Sequence, residues 1–166
     1  MAYNDNFKPT PDQFVKLISI IHLALLGGQL LFAIVAYAQA AKVFFGIMNT
    51  GDPLVYIVAI VAVFGFVASN VTFNVLLKAA LAKPTLGEKI VNYQTALIAR
   101  FALLEGPSLF AIVAFMLSGN LFFLIIAGLL MLYFLMLRPT KDKIDADLDL
   151  TFSENISFLN DDESIK

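Results

Sequence analysis

Four long stretches of the chain are almost entirely apolar, and short polar segments separate them. An α-helix rises ~1.5 Å per residue, so about 20 apolar residues are needed to cross a ~30 Å hydrocarbon core. Prolines, glycines or charged residues bound each stretch, as expected where helices begin and end. The pattern predicts four transmembrane helices, at about residues 14–41, 54–78, 92–118 and 121–138.

The connection between the third and fourth helices consists only of Ser118, Gly119 and Asn120. So short a link forces the two helices into an antiparallel hairpin. The sequence therefore predicts an all-α membrane protein whose four helices form two antiparallel hairpins in one domain, residues 1–140. An alternative treats the first stretch as a cleaved signal peptide, since Ala38-Gln39-Ala40 resembles a cleavage site. Its apolar region exceeds the ~7–15 residues typical of a signal peptide, which favours a true span.

Positive charge is divided unequally between the two sides of the predicted bundle. With the N-terminus inside, eight basic residues near the helix ends fall on the cytoplasmic side, not counting Arg100 within a span and Lys166 in the tail, and only Lys42 falls on the other side. Cytoplasmic loops of membrane proteins carry such an excess of Lys and Arg. We therefore predict cytoplasmic N- and C-termini in a bacterial inner (plasma) membrane, with Tyr93 and Tyr133 as anchors near the inner interface.

Composition separates the last segment from the rest of the chain. Overall, 60% of residues are apolar and 14% are charged, against roughly 45–50% and about 25% in a soluble domain. Residues 141–166 instead hold eight of the thirteen acidic residues. Repeated like charge predicts a disordered, solvated cytoplasmic tail. The alternative is a docking peptide anchored by Phe152, Ile156 and Phe158.

The first and third predicted helices resemble each other. Residues 23–37 align without gaps on residues 101–115, sharing Ala-Leu-Leu-x-Gly-x-x-x-Phe-Ala-Ile-Val-Ala. Both would run from inside to outside, so the similarity predicts a tandem, parallel repeat of a hairpin. Chance similarity between two Ala/Leu-rich helices is the alternative. Where the copies differ, the second gains ionisable groups, because Gly27 aligns with Glu105 and His22 with Arg100.

Glu105 lies near the middle of the third predicted span. A charge there costs at least ~2.5–3.5 kcal/mol on insertion scales, so such residues usually face a partner or a water-filled space. Burial favours the neutral, protonated carboxyl group. Pro107 removes the amide donor for the carbonyl oxygen of Leu103, which we expect to open a polar spot near the carboxyl group. Glu105 is therefore the candidate site for binding a proton or an ion.

Other polar residues are predicted close to Glu105 in depth. The supporting candidates are His22, Asn70, Asn74, Arg100 and Ser108. Structural roles are the alternative: Arg100 would snorkel to the headgroups, and the histidine and asparagines would hydrogen-bond between helices. Arg100 and Glu105 lie ~140° apart around one helix, which makes them poor partners for each other. The chain has one histidine and no cysteine, so we expect no metal site and no cofactor.

The segment from Ala102 to Phe115 resembles the carboxylate-bearing helix of the rotary ATPase proteolipid, the c-subunit. The resemblance lies in Glu105-Gly106 after apolar residues, followed by an aromatic residue and small aliphatic residues. It implies that Glu105 binds the transported proton or sodium ion. The similarity is confined to about residues 95–117, and the glycine-repeat helix and Arg-Gln-Pro loop of that family are absent here.

Two functions are consistent with these patterns. The first is a proteolipid-like protein that handles a proton or cation at Glu105. The alternative is a non-catalytic accessory or scaffold subunit of a larger membrane complex, with the lipid bilayer and other membrane subunits, or further copies of the chain, as partners. An enzyme is not expected, because the loops offer no histidine, no cysteine and few carboxylates. No basic patch indicates nucleic-acid binding.

Overall fold

A computed structural model describes residues 11–46 and 53–148. This part of the chain is helical and contains no strand, which confirms the predicted all-α class. The helices are α1 (Pro11–Gln39), α2 (Pro53–Leu81), α3 (Leu86–Ser118), α4 (Leu121–Met136) and α5 (Lys141–Leu148). Helices α1, α2 and α3 are each long and apolar enough to cross a bilayer. Helix α4 meets that criterion only together with α5, from which it is bent by 78°.

The connection between α3 and α4 is fixed by two consecutive caps. Gly119 ends α3 in a left-handed conformation, with φ 72°, and its amide donates to the carbonyl oxygen of Phe115. Asn120 then begins α4 by accepting a hydrogen bond from the amide of Phe122 at 3.1 Å. A side chain at Gly119 would also overlap the carbonyl oxygen of Lys42. Glycine is required here by both the backbone angle and the close approach.

The segment after α1 is attached to the same turn. Phe44 donates its amide to the Gly119 carbonyl oxygen at 3.0 Å and accepts from the amide of Leu121 at 2.9 Å. The buried Asn120 side chain adds a donor and an acceptor to the backbone of Gly46, at 2.8 and 3.2 Å. These bonds hold the end of α1 beside the α3–α4 turn. We call this end of the bundle the Gly119 end.

Helix α3 lies at the centre of the bundle, where it packs against α1, α2 and α4. It runs parallel to α1. Three ring contacts fix their register: Phe14 with Tyr93, His22 with Phe101 and Tyr37 with Phe115. Each ring on α3 is 78 or 79 positions further along the chain than its partner on α1. The parallel direction of the two helices agrees with the prediction, whereas a duplication of sequence stays a prediction.

The closest approach of α2 to α3 occurs at Gly65. A Cβ atom at this position would overlap the ring of Pro107 and lie 2.8 Å from the carbonyl oxygen of Leu103. Only glycine lets the two backbones come so close, and close packing is a main source of helix association in membranes. Gly65 and Pro107 therefore set the spacing of α2 and α3.

The predicted disorder of residues 141–166 is wrong for residues 141–148, which form α5. Thr140 begins this helix by accepting a hydrogen bond from the amide of Lys143 at 3.4 Å. Ile144 and Leu148, one turn apart, are buried in the core. The carboxylate of Asp147 accepts a 2.7 Å hydrogen bond from the Tyr93 hydroxyl group. The burial of Ile144 and Leu148 stabilises the helix by more than the repulsion between the acidic side chains destabilises it.

We call the end of the bundle that carries α5 the α5 end. Tyr93 lies at this end, but the predicted role as an interfacial anchor is wrong, because its side chain is buried and its hydroxyl group bonds to Asp147 of α5. Residues 149–166, including the proposed anchors Phe152, Ile156 and Phe158, lie outside the described residues.

We expect Gly65→Ala to destabilise the bundle by roughly 1–3 kcal/mol, because the added methyl group forces α2 away from Pro107. Thermal unfolding in detergent, followed by circular dichroism, measures the effect. Gly128→Ala is the matched control, since a Cβ atom there would meet nothing within 4 Å. Equal melting temperatures for the two variants would contradict the assigned close approach.

Candidate functional site

The carboxyl group of Glu105 lies on the part of α3 that is packed in the bundle. Its neighbour Leu104 is buried, Glu105 itself is partly buried, and Gly106 is exposed. Within the described part of the chain, its carboxyl group forms no hydrogen bond or ion pair. A carboxylate without a partner in an apolar span favours the protonated form or a bound cation.

Two buried polar side chains lie close to Glu105 in depth. The register of the α1–α3 ring contacts places Gln29 level with Ser108. Ser108 is three residues beyond Glu105, about one turn along the same side of α3. Both Gln29 and Ser108 are about 1% exposed. Both side chains are thus buried within the bundle at matching depth.

The polar atoms of Gln29 and Ser108 have no hydrogen-bond partner in the described chain. These atoms are the amide nitrogen and oxygen of Gln29 and the hydroxyl oxygen of Ser108. Leaving a buried polar group unpaired costs ~1–3 kcal/mol, so such groups usually bind water or a ligand. Gln29, Glu105 and Ser108 therefore carry an amide, a carboxyl group and a hydroxyl group at depths that differ by no more than about one helical turn.

Pro107 does not open a polar spot for Glu105 in the way the sequence predicted. The Leu103 carbonyl oxygen, which loses its helical donor, lies against Gly65 of α2. Leu103 and Glu105 are ~200° apart around α3, so the carbonyl oxygen and the carboxyl group belong to different flanks. The close approach of α2 occupies the space that the missing amide would leave.

A second polar cluster joins α2, α3 and α4. The Nη2 atom of Arg100 donates to the Oδ1 atom of Asn70 at 2.7 Å and to the Tyr133 hydroxyl oxygen at 3.2 Å. The Tyr133 hydroxyl group donates to the same Asn70 oxygen at 2.8 Å. The guanidinium carbon also lies 4.4 Å from the centre of the Phe73 ring, a cation–π contact. We call Asn70, Arg100 and Tyr133 the Arg100 cluster.

The predicted grouping of polar residues beneath Glu105 is therefore only partly present. Asn70 and Arg100 meet, but Asn74 is exposed on α2. His22 lies apart, where its Nε2 atom donates to the carbonyl oxygen of Phe134 at 2.8 Å. Its ring also stacks on the Phe134 ring, with centroids 4.5 Å apart. His22 thus satisfies a carbonyl group in the last turn of α4 and joins α1 to α4.

The sequence pattern does not mark Gln29 as a site residue, and it predicts Tyr133 only as an interfacial anchor. Gln29 interrupts an apolar stretch, and its spacing of seven residues from His22 places both on one face of α1. This spacing is the feature of the sequence that indicates that Gln29 is buried on the same face of α1 as His22. Tyr133 resembled an interfacial anchor by position, and only the packing of α4 beside α2 turns its hydroxyl group towards Arg100.

Neither a metal-binding group among the described residues nor a similarity to a known protein accompanies these polar side chains. Among the described residues, no three His, Cys, Asp or Glu side chains come together in a way that could hold a metal ion. Comparison with known protein families, with curated proteins and with solved structures finds no match to this chain. The likeness of the third helix to the proteolipid helix stays a prediction.

We expect Asn70→Ala to destabilise the bundle by about 1–3 kcal/mol, because it removes the oxygen that accepts from both Arg100 and Tyr133. Asn74→Ala, one turn along the same helix at an exposed position, is the matched control. Thermal unfolding in detergent measures both variants. A melting temperature for Asn70→Ala that equals the control's would show that the cluster contributes no stability.

Proposed function

We propose that this chain is a membrane protein that binds and exchanges a proton or small cation at Glu105. The observation that carries the proposal is the pair of buried, unpaired polar side chains, Gln29 on α1 and Ser108 on α3, which lie at matching depth. A single unpaired carboxyl group could simply lower the stability of the bundle without having a function. A carboxyl group close in depth to two unsatisfied polar groups is better explained as part of a binding site.

The three side chains suit this chemistry. A protonated Glu105 can donate one hydrogen bond, and the Gln29 oxygen and the Ser108 hydroxyl group can accept one. When Glu105 is ionised, the same oxygens can contribute to the coordination of a small hard cation. The Gln29 amide nitrogen and the Ser108 hydroxyl group can also donate to the carboxylate. The site can therefore stabilise either charge state of Glu105, as reversible exchange requires.

The position of Glu105 supports exchange rather than permanent burial. The side chain is only partly buried, whereas Gln29 and Ser108 are almost fully buried. Its carboxyl group thus lies at the border between the helix interface and the surface of the bundle. A partner subunit, a second copy of the chain or a water-filled path could reach it there.

We expect Glu105→Gln to abolish proton or cation uptake by the protein in vesicles while leaving insertion unchanged, because the amide is isosteric but does not ionise. Labelling by a hydrophobic carbodiimide, which reacts with protonated carboxyl groups in lipid, gives a direct readout. Glu88→Gln, which changes an exposed carboxyl group in the first turn of α3, is the control. Labelling that persists in Glu105→Gln, or wild-type uptake in that variant, would exclude the proposal.

The proposed arrangement has four spans, with α4 as the last. Helix α4 has 16 residues and therefore measures ~24 Å, a few ångströms less than the hydrocarbon core. A short span is tolerated when flanking basic side chains reach the headgroups, and Arg138 and Lys143 follow α4 closely. The excess of basic residues at the α5 end supports a cytoplasmic position for that end.

We expect single cysteines to report this orientation cleanly, because the natural chain has none. In intact cells, a membrane-impermeant maleimide should label Lys42→Cys at the Gly119 end. It should label Lys83→Cys, in the connection between α2 and α3, only after permeabilisation. The reverse pattern would overturn the orientation, and labelling of both residues in intact cells would contradict the separation of the two ends by a membrane.

A further inference from the structure

An apolar groove opens sideways between α2 and α4, on the flank where the Arg100 cluster lies. Its volume is about 380 Å³, within the ~300–1,000 Å³ typical of ligand sites. Ala59, Ala62 and Phe66 of α2 face Ile126, Leu129 and Tyr133 of α4 across it. The small side chains of the two alanines leave the space that larger residues would fill. The groove is open at the side, so an occupant can enter directly from a bilayer.

The groove ends at a polar group. Tyr133 is part of its wall, with its ring 4.7 Å from the ring of Phe66. The hydroxyl group of the same tyrosine contacts Asn70 and Arg100. An occupant of the groove would therefore have an apolar body along α2 and α4 and a polar end near Arg100.

The charge of Arg100 is not neutralised by its contacts in the described chain. Its partners there are an amide, a hydroxyl group and an aromatic ring, all of them uncharged. The Nε atom is buried and lacks a hydrogen-bond partner. Guanidinium groups bind phosphate and carboxylate oxygens, so an anionic headgroup beside Arg100 would neutralise the charge that its contacts in the described chain leave unbalanced.

The depth of Arg100 fits a headgroup. Arg100 precedes Gly119 by nineteen residues of helix, which corresponds to ~28 Å. This is close to the ~30 Å thickness of a hydrocarbon core. With the Gly119 end at one surface of the core, Arg100 stands near the other, and the groove lies between them.

From this arrangement we infer that the groove binds one acyl chain of an anionic phospholipid, whose headgroup phosphate pairs with Arg100. Basic pockets between transmembrane helices recognise anionic lipids by the same combination of charge and depth. The site is separate from Glu105, since Arg100 and Glu105 lie ~140° apart around α3. It therefore does not depend on the proposed proton or cation exchange.

The test uses the full chain in vesicles of phosphatidylcholine that contain a minor fraction of phosphatidylglycerol. Native mass spectrometry of the released protein measures the ratio of the two lipids that stay bound. We expect the wild-type protein to retain phosphatidylglycerol preferentially, by at least about fivefold over its share of the vesicle. Arg100→Gln should abolish that preference, whereas Arg138→Gln, which removes an exposed arginine after α4, should keep it.

Ala59→Phe provides a second variant that leaves the Arg100 cluster unchanged. Its ring should fill the groove and reduce the amount of both lipids that stays bound. This variant tests the inference if Arg100→Gln fails to fold. Three results would each overturn the inference. They are no preference for phosphatidylglycerol in the wild-type protein, an unchanged preference in Arg100→Gln, and an unchanged amount of bound lipid in Ala59→Phe.

Discussion

Hydrocarbon cannot hydrogen-bond to polar groups, and this constraint explains why α3 lies at the centre of the bundle. Several polar side chains inside the apolar stretches are on α3 or bond to it. Glu105, Ser108 and Arg100 are on α3 itself, Asn70 of α2 bonds to Arg100, and the buried Gln29 of α1 lies at the depth of Ser108. A helix with neighbours on three sides can shelter more polar groups than one on the rim.

The packing of α3 also places these groups on two sides of the helix. On the α1 side, the parallel register brings Gln29 level with Ser108, close in depth to Glu105. On the side of α2 and α4, the charge of Arg100 is held by neutral partners. The close approach at Gly65 fills the space between α2 and Pro107. The carboxyl and guanidinium groups on one helix therefore do not neutralise each other.

The hydrophobic pattern was sufficient to predict helices α1 to α4 and the parallel direction of α1 and α3. It also located Glu105, because a carboxylate inside an apolar run stands out in any sequence. The partners of each polar group were not predictable, since they depend on which faces meet. Tyr133 and Gln29 acquire their roles from the packing of α4 against α2 and of α1 against α3. Helix α5 was missed because two apolar residues in an acidic segment carry a weak signal until the core that receives them is known.

We propose a single site formed by Glu105, Gln29 and Ser108, and vibrational spectroscopy of the carboxyl group tests this proposal most directly. Infrared difference spectra of the protein in lipid, recorded between neutral and alkaline pH, report a protonated carboxyl group inside the bilayer. We expect a carbonyl band that is absent in Glu105→Gln and shifted in frequency in Gln29→Leu and in Ser108→Ala. A band that keeps its frequency in both of the latter variants, or no such band in the wild-type protein, would contradict the proposal.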